Sequence, residues 1–129
     1  MVLVMAVGRV FVDEVSNPKK PLRASVRALV DTCVTYTVLP EELFRKLELE
    51  GLGFVKVKTG VGVEILLETR IRVKVLGGER ASPALVSGKV DTPLIGVMTL
   101  GILGLKIDPM TGGIEELPLL LYGVAAQKL

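Results

Sequence analysis

The sequence predicts a mainly β fold of closed-barrel type with one or two short helices, and three observations carry that prediction. Two stretches, Leu22 to Asp31 and Val63 to Val75, alternate apolar with polar or charged residues at a period of two, the spacing of a half-buried strand. Turn-forming clusters separate the apolar runs: Ser16 to Pro21, Gly60-Val61-Gly62, Gly77-Gly78 and Pro109 to Gly113. Helical patterning is confined to a few residues after Pro40 and to Val97 through Leu103.

The elements follow in order. Val2 to Val12, rich in Val and broken by Gly8-Arg9, reads as a first strand with a bend. In the second strand Leu22, Ala24, Val26, Ala28 and Val30 form the apolar face, so Asp31 falls on the opposite face at the strand's end. Pro40-Glu41-Glu42 opens a short helix, because Pro suits the first helical position and early carboxylates complement the helix dipole; Leu43, Phe44 and Leu47 supply its buried side. Phe54 to Lys58 and Val63 to Val75 form a projecting hairpin around Gly60-Val61-Gly62, and Glu79 to Val86 returns after Gly77-Gly78. Pro93 to Gly96 is a short buried strand, Val97 to Leu103 a small helix, and Leu105 to Asp108 and Ile114 to Leu117 are closing strands. The segment from Pro118 to Val124 is more apolar than a solvated terminus and is expected to pack on a partner chain.

Composition narrows the chemistry. At 129 residues the chain fits one domain, 1–129, with a single core. Its 16 basic and 14 acidic residues are scattered and aromatics are only 4%, which argues against a nucleic-acid surface. With no His, the chain builds neither a Ser-His-Asp or Cys-His nucleophile nor a His-based zinc site. The single Cys rules out an intrachain disulfide and fits a reducing cytoplasm. Thr92 to Leu105, the longest uncharged stretch, falls short of the ~20 residues that span a bilayer, and Met1 to Val7 lacks the flanks of an export signal. A cytoplasmic protein without a membrane span is expected. Any hydrolytic chemistry then falls to carboxylates, Lys, Tyr or a hydroxyl.

Ala28-Leu29-Val30-Asp31-Thr32-Cys33-Val34-Thr35 delivers one carboxylate at a strand end, followed by small residues. It resembles the active-site loop of the retropepsin-like aspartic proteases, two apolar residues and then Asp-Thr-Gly, except that Cys33 stands where that family carries Gly. Two further signatures follow in the family's order: a glycine-bearing flap, Lys58-Thr59-Gly60-Val61-Gly62, and an apolar-apolar-Gly run, Leu94-Ile95-Gly96. Leu103 to Ile114 is similar to the closing segment of the small cellular and prokaryotic members, and the likeness extends over about residues 9–117, leaving 118–129 as an apolar tail. Retroviral members also carry an Asp after the loop and an Arg after the apolar-apolar-Gly run; Thr35 and Val97 stand there instead, so both halves of that ion pair are missing together.

The resemblance implies an acid-protease barrel acting as a homodimer, because one loop per chain supplies half of an Asp dyad. It implies Asp31 and Thr32 as catalytic residues, Cys33, Thr59, Gly60, Val61, Gly62 and Ile95 as substrate-binding residues, an extended peptide as substrate, and no metal or organic cofactor. Plainer readings stand beside these. Asp31, like Asp91 and Asp108, reads in isolation as a turn acid; Gly60 and Gly62 serve any hairpin; and Cys33 is either an inert small residue or a change that weakens catalysis. A disabled, dimeric peptide-binding or assembly module of the same fold is the alternative function.

Overall fold

A computed structural model of the chain describes residues 7–31, 34–60, 62–75, 77–107 and 114–116. The elements are β1 (Val7–Ser16), β2 (Arg23–Asp31), β3 (Thr37–Pro40), α1 (Glu41–Lys46), β4 (Gly53–Thr59), β5 (Gly62–Val75), β6 (Gly78–Ser87), β7 (Leu94–Ile95), α2 (Val97–Leu103), β8 (Leu105–Ile107) and β9 (Ile114–Glu116). Six strands close a barrel in the order β1-β2-β7-β3-β6-β5, with β1 returning to β5. β4 extends that sheet beyond β5, and β8 and β9 pair separately. Among the described residues no helix is long and apolar enough to cross a membrane.

Closure depends on β1 changing partners. Its early residues pair antiparallel with β2, from Val7 opposite Asp31 to Val12 opposite Val26. The register then slips between Val12 and Val15, and Glu14, Val15 and Ser16 also pair with Lys74, Val73 and Arg72 of β5. A bulge of this kind sharpens the local twist and turns a strand from one neighbour to the next. The first strand was expected to end at Val12; it runs on to Ser16 because β5, far away in sequence, supplies the second edge. Its expected start, at Val2, lies outside the described residues.

Period-two alternation becomes a wall with two faces. In β2, Ala28 and Val30 are buried while Arg23, Ser25 and Arg27 face solvent. In β5, Thr69, Ile71, Val73 and Val75 point inward, and Leu39, Ala84 and Ile95 meet them from β3, β6 and β7. Leu43, Leu47 and Leu100 bring the two helices onto the same core. Burying each of the Val, Leu and Ile side chains among these stabilises the fold by about 1.5–3 kcal/mol.

Pro40 takes the N-cap place of α1, with φ −63° and ψ 146°, one residue earlier than the expected first helical position. The pyrrolidine ring fits both, but β3 holds Pro40 in its ladder with β6, opposite Ser87, and that keeps ψ extended. α1 ends where Glu48 adopts a left-handed φ of 51°. Buried Asn17, in the β1–β2 turn, secures that reversal. Its side-chain amide donates to the carbonyls of Leu47 (2.9 Å) and Glu48 (3.0 Å), and its Oδ1 accepts from the backbone N–H groups of Lys19 (2.7 Å) and Lys20 (3.1 Å). The turn at 109–113 and the tail 118–129 lie outside the described residues.

Candidate active site

Asp31 is the last residue of β2 and is half-buried. Both flanks of its loop are bonded to one segment, residues 93–98. On the incoming side, the Leu29 N–H donates to the Pro93 carbonyl (3.0 Å), and Leu29 and Val30 pair in parallel with Leu94 and Ile95. On the outgoing side, the Val97 and Met98 N–H groups donate to the carbonyls of Val34 (2.9 Å) and Thr35 (3.0 Å). The loop also closes on itself, as the Val34 N–H donates to the Asp31 carbonyl (3.1 Å). Thr32 and Cys33, predicted beside Asp31, lie outside the described residues.

Gly96 makes this grip fit. A Cβ at that position would stand 2.6 Å from the Thr35 carbonyl oxygen and 2.7 Å from the Tyr36 carbonyl, closer than a side chain and backbone tolerate. The missing methyl lets α2 start directly against the 34–36 backbone. α2 has no side-chain cap; two of its first N–H groups go to Val34 and Thr35 instead. Thr35 and Val97, which stand in the sequence in place of an ion pair, are thus joined to this junction through main-chain bonds.

Beyond Val34 the surface opens into a cleft of 620 Å³ lined by Val34, Tyr36, Val38, Val57, Leu66 and Leu85, with Thr35, Lys58, Thr59 and Gly60 at its polar edge. Val57 and Leu66 lie on one face of the β4–β5 hairpin, which roofs the cleft. Gly62 has φ +138°, a conformation β-branched residues avoid, so the hairpin turns tightly after Gly60; the Thr59 hydroxyl donates to the Gly62 carbonyl (3.1 Å). Lys89 and Glu64 (3.3 Å) tie the hairpin to the loop after β6.

The structure therefore brings Thr59 and Gly60 to the cleft and Gly62 beside it, while Val61 lies outside the described residues. Ile95, expected at the substrate, is placed elsewhere: it is 1% exposed, packs in the core and pairs with Val30, whereas its neighbour Leu94 is half-buried. The apolar lining from Tyr36, Val38, Val57, Leu66 and Leu85 was not singled out in sequence. Only the alternation of β4 offered a signal, since it sets Val55 and Val57 against Phe54, Lys56 and Lys58. Among the described residues no cluster of three or more His, Cys, Asp or Glu is placed to hold a metal ion.

Solved structures share this architecture. The EIAV protease complexed with the inhibitor HBY-793 superposes with a TM-score of 0.56 at 21% identity, over 65% of this chain and 82% of that one. A retropepsin-like aspartic protease from Rickettsia conorii gives 0.53 at 20%, over 79% and 86%. The foamy viral protease-reverse transcriptase in complex with an RNA/DNA hybrid gives 0.55 at 19%, over 74% of this chain but 12% of that much longer one. No protein-family model and no curated protein matches the sequence. Likeness at this level of identity establishes the fold: the chain has the closed barrel of the retropepsin-like aspartic proteases.

Proposed function

We propose that the chain is an aspartic endopeptidase that hydrolyses peptide bonds as a homodimer, with Asp31 of each protomer forming the catalytic dyad. The observation that carries this reading is the setting of Asp31: a carboxylate at a strand end, braced on both sides by residues 93–98, three residues before an apolar cleft roofed by a glycine-bearing hairpin.

Chemistry requires two such carboxylates. Like charges this close do not both ionise, so the pair holds one proton between them. The ionised member takes a proton from water as that water attacks the scissile carbonyl, and the protonated member donates to the carbonyl oxygen. Thr32 would brace the pair across the two-fold axis. The substrate would lie extended between the loop and the hairpin, its backbone paired like an added strand and its apolar side chains in the cleft beneath Val57 and Leu66. The chemistry calls for neither a metal nor an organic cofactor.

Cys33 favours a second reading. The family's Gly carries no side chain at this place and a thiol would add one, so a dimeric peptide-binding module with little or no catalysis is the competing function. Cleavage of an unfolded protein between about pH 3 and 7 separates the two. The endopeptidase reading expects an acidic optimum, inhibition by a statine-type transition-state mimic, and loss of cleavage in Asp31→Ala. Silence of the native chain with cleavage by Cys33→Gly would establish the disabled module. Cleavage that survives Asp31→Ala would sink the dyad.

A further inference from the structure

Three fully buried hydroxyls, on Thr37, Ser82 and Thr99, meet between β3, β6 and α2. The Thr37 and Thr99 oxygens are 2.5 Å apart and the Thr99 and Ser82 oxygens 2.8 Å. At one end the Gly96 N–H donates to Thr37 Oγ1 (3.1 Å), and at the other Ser82 Oγ donates to the Pro83 carbonyl (3.0 Å). An amide N–H only donates and a carbonyl only accepts, while each hydroxyl has one proton to give. The direction is therefore forced: Gly96 N–H to Thr37, Thr37 to Thr99, Thr99 to Ser82, Ser82 to the Pro83 carbonyl. Every donor is satisfied, and each bond polarises the next.

We propose that this one-way hydroxyl chain is the positioning device for the Asp31 loop. Residues 93–98 hold both flanks of that loop, and Gly96 is at their centre. The hydroxyl chain ties Gly96 to β3 and, through Thr99, to β6 of the barrel wall. Thr37, Thr99 and Ser82 are thus positioning residues, acting on the acid through the Gly96–Val97–Val34 main chain. None of the three lines the cleft. Thr99 is the critical member, because it both accepts and donates between its neighbours; removing its hydroxyl leaves the Thr37 donor and an acceptor site on Ser82 unpartnered in a fully buried place. For its kinetic consequence alone, the proposal rests on the reading of Asp31 as the catalytic acid.

The test compares the full chain with Thr99→Val, which keeps the volume, and Thr99→Ser, which keeps the hydroxyl. Amide hydrogen exchange is read at Val34, Gly96, Val97 and Met98, with the Val73 amide in the β5 ladder as internal control. Thr99→Val is expected to raise exchange at the four loop-gripping amides about tenfold or more relative to Val73, and Thr99→Ser to restore it. In cleavage assays kcat falls by a similar factor in Thr99→Val with KM nearly unchanged, and Thr99→Ser recovers. Exchange that rises uniformly across the barrel, or stays unchanged at the four amides, would overturn the proposal, as would failure of Thr99→Ser to rescue. If the native chain cleaves nothing but the exchange pattern holds, the positioning role stands and the endopeptidase reading is what falls.

Discussion

The two sides of the cleft are built in contrasting ways. On the Asp31 side, main-chain bonds from residues 93–98, buried hydroxyls and a glycine pressed against two carbonyls leave little room for movement. On the hairpin side, β4 and the first half of β5 extend past the barrel and leave large apolar side chains in water: Phe54 is 74% exposed, Ile65 64% and Val63 58%. One region is over-determined; the other, among the described residues, relies on its own ladder, the Lys89–Glu64 ion pair and the cleft face. The proposed endopeptidase would need both, a rigidly held acid and a roof that admits substrate, and stability is expected to be distributed accordingly.

Substitutions on the two sides should therefore differ sharply. Gly96→Ala is the harshest, because its methyl meets backbone that cannot step aside; urea unfolding is expected to show a loss of more than about 3 kcal/mol. Next comes Asn17→Ala, which strips four hydrogen bonds and leaves carbonyls of the α1 reversal without their donor. About 2–3 kcal/mol should be lost in the same measurement, and a loss near zero would show that water replaces the amide.

On the hairpin, Val57→Asp puts a charge in the roof of the cleft. For apolar peptides KM should rise about tenfold while the unfolding midpoint barely moves. Phe54→Ser, on the outer face, should change stability by no more than about 0.5 kcal/mol. A loss like that of a core residue would mean that the outer face is covered in solution, and the contrast between the two sides would fail.

The smallest effect depends on pH. The Glu79 carboxyl lies below its usual value first because Arg72 hydrogen-bonds it (2.9 Å); desolvation opposes this, and the charges of Arg72, Lys74 and Arg23 add smaller lowerings. A lowered folded pKa favours the folded state above the unfolded carboxylate range, and the benefit disappears as pH falls through the folded value. The gap in urea midpoint between the native chain and Glu79→Gln should be small at neutral pH and close in acid. A gap that persists unchanged in acid would refute the assignment.

Much of the barrel was legible because alternation is a local property. The inward set of β2, the long β5 and the limits of α2 follow from residues read in a row. Pairings between distant strands were not legible, and they explain the misses. Ser16 ends β1 only because β5 lies beside it, and Pro40 stays extended because β6 holds it. Ile95 belongs to a two-residue strand, too short for a period to say which side faces the core. For the cleft, Val34, Val57 and Leu85 come from three separate parts of the chain. The hydroxyls of Thr37, Ser82 and Thr99 share no motif, and only the fold makes neighbours of them.

The change of partner in β1 also orders events during synthesis. As the chain emerges from a ribosome, β1 and β2 can pair as a hairpin at once, but the bonds from Glu14, Val15 and Ser16 to β5 must wait for Arg72, Val73 and Lys74. Joining segments so remote in sequence is entropically slow, so closure of the barrel is expected to follow the β1–β2 hairpin. The waiting edge is three residues long, too short a template to recruit a neighbouring chain readily.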